Sequence, residues 1–293
     1  MRTCLFAIVY LLIDCSSALA VDIYVDNLLG DDRRGGSSAV VASEGIGPCR
    51  TIAKALRITQ PGDRIIVANT GQPYREGITL QGPRHSGIDR FPTTIVGNGA
   101  MLDGTMSLVD TVWEFAGNNT FRTRPAHMSF QQLFLDDQPL ARRQPLPGQF
   151  PALESREWCL FRGWIYFRVD PNKSPELYNL SCCGDQAGIT LYNVHDIVVQ
   201  DLNVRGFWID GVNCHDNVRD TALVRIKASE NGRSGFSVGG ASRVQIDSCI
   251  AASNGVAQLR TEGFCTVELR GNQFDPATAP AIVKEGGTIS GID

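Results

Sequence analysis

The chain has 293 residues, a formal net charge of −4 and 43% hydrophobic residues. That is enough apolar material for a well-buried domain, and it leaves no basic excess of the kind that nucleic acid or an anionic membrane surface attracts. Beyond the N-terminal segment no apolar run is long enough to cross a bilayer, and 30 glycines against 14 prolines suit a chain of strands and turns.

The first residues read as a secretion signal. Arg2 supplies the positive charge, Leu5 to Ile13 a short apolar run, and Ala18-Leu19-Ala20 a small-x-small cleavage site. Asp14 interrupts the run, so a membrane anchor is disfavoured. Residues 1–20 are expected to be removed, leaving a secreted or periplasmic chain that starts at Val21. Seven of the nine cysteines lie in that mature chain, and an odd number cannot all pair internally. A bond between Cys159 and Cys182 or Cys183 is one arrangement the spacing allows. Ile23-Tyr24-Val25 alternates as a strand, and a polar, glycine-rich loop follows through Gly47. Apolar residues at positions 52, 53, 55 and 56 then predict a short helix that stops at Gln60-Pro61-Gly62-Asp63. Arg64 to Val67 returns to strand.

The series Ile23-Tyr24-Val25, Gly47-Pro48-Cys49-Arg50-Thr51-Ile52, Lys54-Ala55-Leu56, Gln60-Pro61-Gly62-Asp63-Arg64-Ile65 and Tyr74-Arg75-Glu76 resembles the opening segment of secreted bacterial right-handed β-helix proteins of the pectin-lyase-like superfamily. Cys49 departs from it, standing where an aromatic residue is usual. The resemblance implies that the short helix is a lid over the open end of a solenoid, where an unpaired strand edge would otherwise face water. It covers nearly the whole mature chain and concerns fold rather than activity, because the superfamily holds lyases, hydrolases, epimerases and binding proteins.

Ile78-Thr79-Leu80, Thr94-Ile95-Val96 and Met101-Leu102-Asp103-Gly104 supply two early coils, so residues 21–112 are expected to form the cap and first coils. Residues 113–185 lose the pattern. Phe130 to Leu140 and Trp158 to Val169 alternate around Asp136-Asp137 and Arg162-Gly163, which are hairpin signals. This block resembles the β-hairpin insertion of many secreted β-helix proteins, most specifically in Leu135-Asp136-Asp137-Gln138-Pro139-Leu140-Ala141-Arg142.

Residues 186–293 repeat. Ile189, Val212, Phe236 and Leu259 begin equivalent short runs spaced 23, 24 and 23 apart. A second column runs through Ile197/Val199, Thr221/Leu223, Val244/Ile246 and Val267/Leu269. A third runs through Leu202/Val204, Ile226/Ala228, Cys249/Ala251 and Asn272/Phe274. Each pair is the period-2 mark of a strand with one buried face. Corners such as Glu230-Asn231-Gly232 and Ser253-Asn254-Gly255 separate them, their Gly and Asn read as supplying positive φ. Three strands per turn at a fixed long period specify an all-β parallel solenoid, a pattern a β-sandwich does not produce, and the resemblance implies that it is a right-handed parallel β-helix. Cys214 and Cys249 fall in inward columns as small hydrophobes. The last coil begins at Ile282-Val283.

In such a solenoid, outward residues of one strand stack over those of the next coil about 4.8 Å away. The first column therefore aligns Thr190/Tyr192, Asn213/His215, Ser237/Gly239 and Arg260/Glu262. Asp210 precedes that column at a corner and Asp216 follows His215. Asp210, His215 and Asp216 are the candidate catalytic groups, Asp210 with His215 as an acid/base pair. Tyr192, Asn213, Arg260 and Glu262 are the candidate substrate-binding groups, with an open slot beside His215 at Gly239. A solvated His-Asp turn is the competing reading. An elongated polar face suits a polysaccharide partner. Proton abstraction beside a uronate carboxylate also needs a cation, from Arg219, Arg233 or Arg260. Arg225-Ile226-Lys227 matches the Arg-x-Lys of polygalacturonases, but that family's paired aspartates and Gly-His-Gly have no counterpart here, and Arg205, Arg225 and Lys227 read as a solvated basic strip. His195 reads as structural, and His85 and His127 as loop residues without partners. No cofactor is required, and no metal-ligand spacing is present. Asp210, Asp216 and Glu262 are too scattered for calcium ligands. Two functions follow: a lyase- or epimerase-like enzyme on an acidic polysaccharide, or a non-catalytic glycan-binding or envelope solenoid.

Overall fold

The computed structural model describes residues 20–125, 127 and 130–291, so the expected secretion signal lies outside the described residues except for Ala20. The chain winds into a right-handed parallel β-helix built on a 15-stranded sheet. In its first ladder, Ile78, Ile189, Val212, Phe236, Leu259 and Ile282 are register partners from coil to coil. The second aligns Ile65, Ile95, Val199, Leu223, Ile246 and Leu269. The third aligns Leu102, Val204, Ala228, Ala251 and Phe274. These files meet inside the coil as one continuous apolar core, which is why the alternating triplets recur in register. A one-residue slip would turn each inward file to solvent.

The corners work differently from expectation. Glu230 and Ser253, not the asparagines after them, take the positive φ of 61° and 57°. Asn231 and Asn254 are fully buried. Asn231 Nδ2 donates to the Ser229 carbonyl at 3.1 Å, and Asn254 Oδ1 accepts from Asn231 N at 2.9 Å. Asn254 Nδ2 in turn donates to the Ala228 carbonyl at 3.0 Å. The amides thus satisfy backbone groups that the bend releases from the ladders.

The helix Ile52–Ile58 closes the N-terminal end, burying Ile52, Ala55 and Leu56 on the first strands. Its free N–H groups are taken in order. Thr51 Oγ1 accepts from Lys54 N at 3.0 Å, and the Glu76 carboxylate accepts from Ile52 N at 2.9 Å and Ala53 N at 3.0 Å. Glu76 closes the Tyr74-Arg75-Glu76 run for this reason. His85 also has partners after all. It is buried, with Nδ1 accepting from Gln81 N at 2.9 Å and Nε2 3.2 Å from the Leu56 carbonyl. It therefore pins the lid to the first ladder, and burial holds its pKa below the ordinary value.

Antiparallel strands between Thr105 and Cys183 form two four-stranded sheets around their own core of Leu133, Trp158, Ile165, Phe167 and Leu180. The expected hairpins turn where the sequence signalled them. Asp136-Asp137 (φ 50° and 62°) and Arg162-Gly163 (φ 50° and 77°) each put two successive residues in the left-handed region, as tight hairpin loops require. All seven cysteines from Cys49 to Cys265 are buried and unpaired, so the Cys159 disulfide is absent. Cys214 and Cys249 are fully buried, with Cys214 in register with Leu191. Of the three residues of the basic strip, Arg225 and Lys227 are exposed, while Arg205 bonds Asp103 at 3.1 Å and Arg225 bonds Asp201 at 2.7 Å. No helix among the described residues is long and apolar enough to cross a membrane.

Candidate functional site

The outward face of the first ladder carries the polar stack. Thr79, Thr190, Asn213, Ser237 and Arg260 are successive register partners in one file. Gln81, Tyr192 and His215 form the neighbouring file, continued by Gly239, which donates its N–H to the Cys214 carbonyl at 2.8 Å. Tyr192 and His215, 24 minus one positions apart in the sequence, have ring centroids only 4.9 Å apart. Both are partly exposed, Tyr192 at 40% for the whole residue and His215 at 39% for its side chain.

Asp216 completes this cluster from the corner. Its carboxylate lies 3.7 Å from His215 Nδ1. Its negative charge near the Tyr192 hydroxyl holds the phenol proton more tightly than usual. Asp216 itself is in the left-handed region at φ 70°. The next coil passes directly beneath it at Gly240, where a Cβ would come within 2.7 Å of Asp216 Cα. Only glycine fits that approach.

The structure separates Asp210 from His215. Asp210 is fully buried, and its carboxylate is clamped by Arg233 Nε at 3.0 Å and Nη2 at 2.5 Å. Asn213 Nδ2 donates to the same carboxylate at 3.0 Å. Burial pushes the Asp210 pKa up, while the Arg233 guanidinium pulls it down. Asp210 therefore orients Asn213 and Arg233 and does not contact the imidazole it was paired with in the sequence reading.

The remaining candidates close on one another. Arg260 bonds Glu262 at 2.8 Å and also pairs with Glu285, so its charge is already met. The expected slot at Gly239 is filled, because a Cβ there would stand 3.0 Å from Glu262 Cγ and Oε1. Of the three cations considered for a substrate carboxylate, Arg233 and Arg260 are engaged. Arg219 is exposed and has no ion pair among the described residues. Phe264, 92% exposed at the corner after Glu262, was not singled out from the sequence. An aromatic residue in the polar corner Gly263-Phe264 was the available signal. Trp208 and His127 stack with centroids 5.5 Å apart, giving His127 a partner too. His195 Nδ1 lies 2.8 Å from Asp196, and its register partner on the next coil is Arg219. Among the described residues no group of three or more His, Cys, Asp or Glu is arranged to hold a metal ion.

No protein-family model matches the chain, and no curated protein matches it. Solved structures similar in fold include XylC in complex with xylose, at 9% identity and a TM-score of 0.47. The alignment covers 92% of this chain and 66% of that one, so the chain spans slightly under two thirds of its length. A glycoside hydrolase is similar at 10% identity over 86% of this chain and 74% of that one, with a TM-score of 0.51. The pectate lyase Pel9A is similar at 11% identity over 93% and 78%, with a TM-score of 0.30. At these identities it is the glycoside hydrolase that speaks to this chain, and it speaks to the parallel β-helix fold alone.

Proposed function

We propose that this chain is a secreted carbohydrate-active β-helix protein, lyase- or epimerase-like, that performs proton transfer on an acidic polysaccharide at the face centred on His215. The observation that carries this reading is the exposed triad of Tyr192, His215 and Asp216, built from two adjacent coils on a polar face. A glycoside hydrolase sharing the fold supports a carbohydrate substrate by analogy.

The chemistry assigned is abstraction of the proton beside a uronate carboxylate. His215 takes that proton, and Asp216 steadies the resulting imidazolium. In elimination, the freed electron pair forms a carbon–carbon double bond and the bond to the leaving sugar oxygen breaks. The Tyr192 hydroxyl, kept protonated beside Asp216, is placed to give that oxygen its proton. In epimerisation the same phenol reprotonates the carbon from the other side. Arg219 is the cation available to the substrate carboxylate, and Asn213 and Thr190 offer hydrogen bonds to hydroxyls. Asp210 acts by positioning Asn213.

The test is a panel of uronate polymers followed by the ultraviolet absorbance of unsaturated uronates, with proton–deuterium exchange at the sugar to detect epimerisation. His215→Ala is expected to lower the rate at least a hundredfold with an unchanged circular dichroism spectrum. Full activity in that variant refutes the assignment. Silence of the wild type across the panel, together with retardation on a polysaccharide gel, establishes the binding-module reading instead.

A further inference from the structure

The antiparallel insertion meets the late coils along their corners. Gln132 Nε2 donates across this seam to the Asn231 carbonyl at 3.4 Å and the Ser253 carbonyl at 3.2 Å. Beside it lies a cavity of about 450 Å³ lined by Gln132, Arg142, Gln144, Ser253, Gly255 and Thr278 among others. It is separate from the His215 face, none of whose candidate residues line it.

Arg142 is the anomaly in that cavity. Its guanidinium lies over the Trp158 ring, 5.2 Å from the centroid, yet its Nε and Nη1 atoms are buried and have no hydrogen-bond partner. Burial pulls its pKa below the ordinary arginine value, and no aspartate or glutamate lines the cavity. The next residue shows the contrast: Arg143 is half-exposed and bonds Glu157 at 2.7 Å. Arg205, Arg225, Arg233 and Arg260 also have carboxylate partners. Arg142 as a whole is only partly buried, but two buried guanidinium nitrogens with no acceptor are unfavourable, and folded proteins pair buried polar groups with hydrogen-bond partners. Gly255 packs against this seam: a Cβ there would clash with the Gly232 carbonyl oxygen at 2.1 Å, and Arg142 Nη1 lies 3.2 Å from the same position.

We propose that this seam cavity is an anion site for the carboxylate of a uronic acid unit, with Arg142 as the recognising cation and Trp158 fixing the plane of its guanidinium. The carboxylate supplies the missing counter-charge through charge-assisted hydrogen bonds. The volume suits one sugar ring rather than a bare inorganic anion, and the Gln144 amide and Ser253 hydroxyl match ring hydroxyls. The assignment rests on the unpaired cation and not on proton transfer at His215. A free sugar acid and the end of a polymer share this chemistry, so both are used as probes.

The experiment titrates the full chain with sodium D-galacturonate and with a galacturonate trimer, reading heat release and the thermal unfolding midpoint. D-galactose and sodium sulfate serve as controls. Saturable binding of both acids, with at least a tenfold loss of affinity in Arg142→Met and none in Arg143→Met, whose cation lies outside the cavity lining, supports the site. A trimer that binds when the monomer does not places the site on polymer ends and also supports it. An equal response of wild type and Arg142→Met overturns the proposal, as does galactose or sulfate binding as tightly as galacturonate. If Arg142→Met fails to fold, Gln144→Trp serves instead. That exposed rim residue would be enlarged to fill the cavity, and undiminished galacturonate binding there overturns the proposal equally.

Discussion

Breaking the Asp210–Arg233 clamp is the most direct way to test how the first-ladder face is held. Asp210 has no exposed surface and accepts three hydrogen bonds, two from Arg233 and one from Asn213. Removing one partner of a buried, hydrogen-bonded ion pair costs about 3–5 kcal/mol, because the other charge is left buried without compensation. The Arg233 side chain keeps 20% of its surface exposed, which lets water recover part of that loss. Asp210→Asn is therefore expected to cost about 3 kcal/mol, the lower end of that range. In Arg233→Met the carboxyl loses the guanidinium that pulled its pKa down, and burial raises it further. The native state of that variant then holds a proton more tightly than the unfolded chain does. Its stability should rise as pH falls toward the ordinary aspartate range and decline as pH increases above it. The double variant should be less damaged than the two single costs combined, with a coupling of about 2 kcal/mol. Urea unfolding followed by tryptophan fluorescence and far-ultraviolet circular dichroism measures all four species. A coupling below about 0.5 kcal/mol, within the scatter expected of independent sites, would show that the clamp contributes nothing and that Asp210 is buried for another reason.

Other outcomes are open to measurement. Burial lowers the His85 pKa from its ordinary 6.5, so the folded state favours neutral imidazole, and the stability this contributes is present above that value and lost on acidification below it. His85→Phe should flatten the dependence of the unfolding midpoint on pH between about 5 and 7, and an unchanged slope would remove His85 as its source. Asn254→Ala leaves the Asn231 N–H and the Ala228 carbonyl without their partner and should cost about 2–4 kcal/mol in urea unfolding, whereas a loss below about 0.5 kcal/mol would mean that the amide ladder is dispensable. Burial pushes the thiols up, Cys159 and Cys182 to about 12 and Cys249 to about 11. A thiol reagent should therefore find none of the seven cysteines from Cys49 to Cys265 in the native chain and all seven in denaturant, and rapid native labelling would contradict their burial.

The ladder registers were readable without coordinates because each inward triplet must alternate with period two and must recur once per coil. Ile189, Val212, Phe236 and Leu259 align as their spacing required. The stack of Tyr192 on His215 follows from that register alone. Hairpins at Asp136-Asp137 and Arg162-Gly163 were legible because tight turns demand local conformations that few residues adopt. What the order of residues could not decide is which charge meets which. Asp210 with Arg233, Arg260 with Glu262 and Glu285, and Glu76 with the lid helix are pairings 23 or more positions apart, or between side chains whose reach sets the partner. They depend on side-chain direction at bulges and corners rather than on period. The role of Asn231 and Asn254 as an internal amide ladder was hidden for a similar reason, since an asparagine at a bend reads the same whether its backbone or its side chain is the functional part. Arg142 stands furthest from the sequence signal: only the docking of the insertion on the late coils, a long-range packing event, leaves two of its guanidinium nitrogens buried and without a partner.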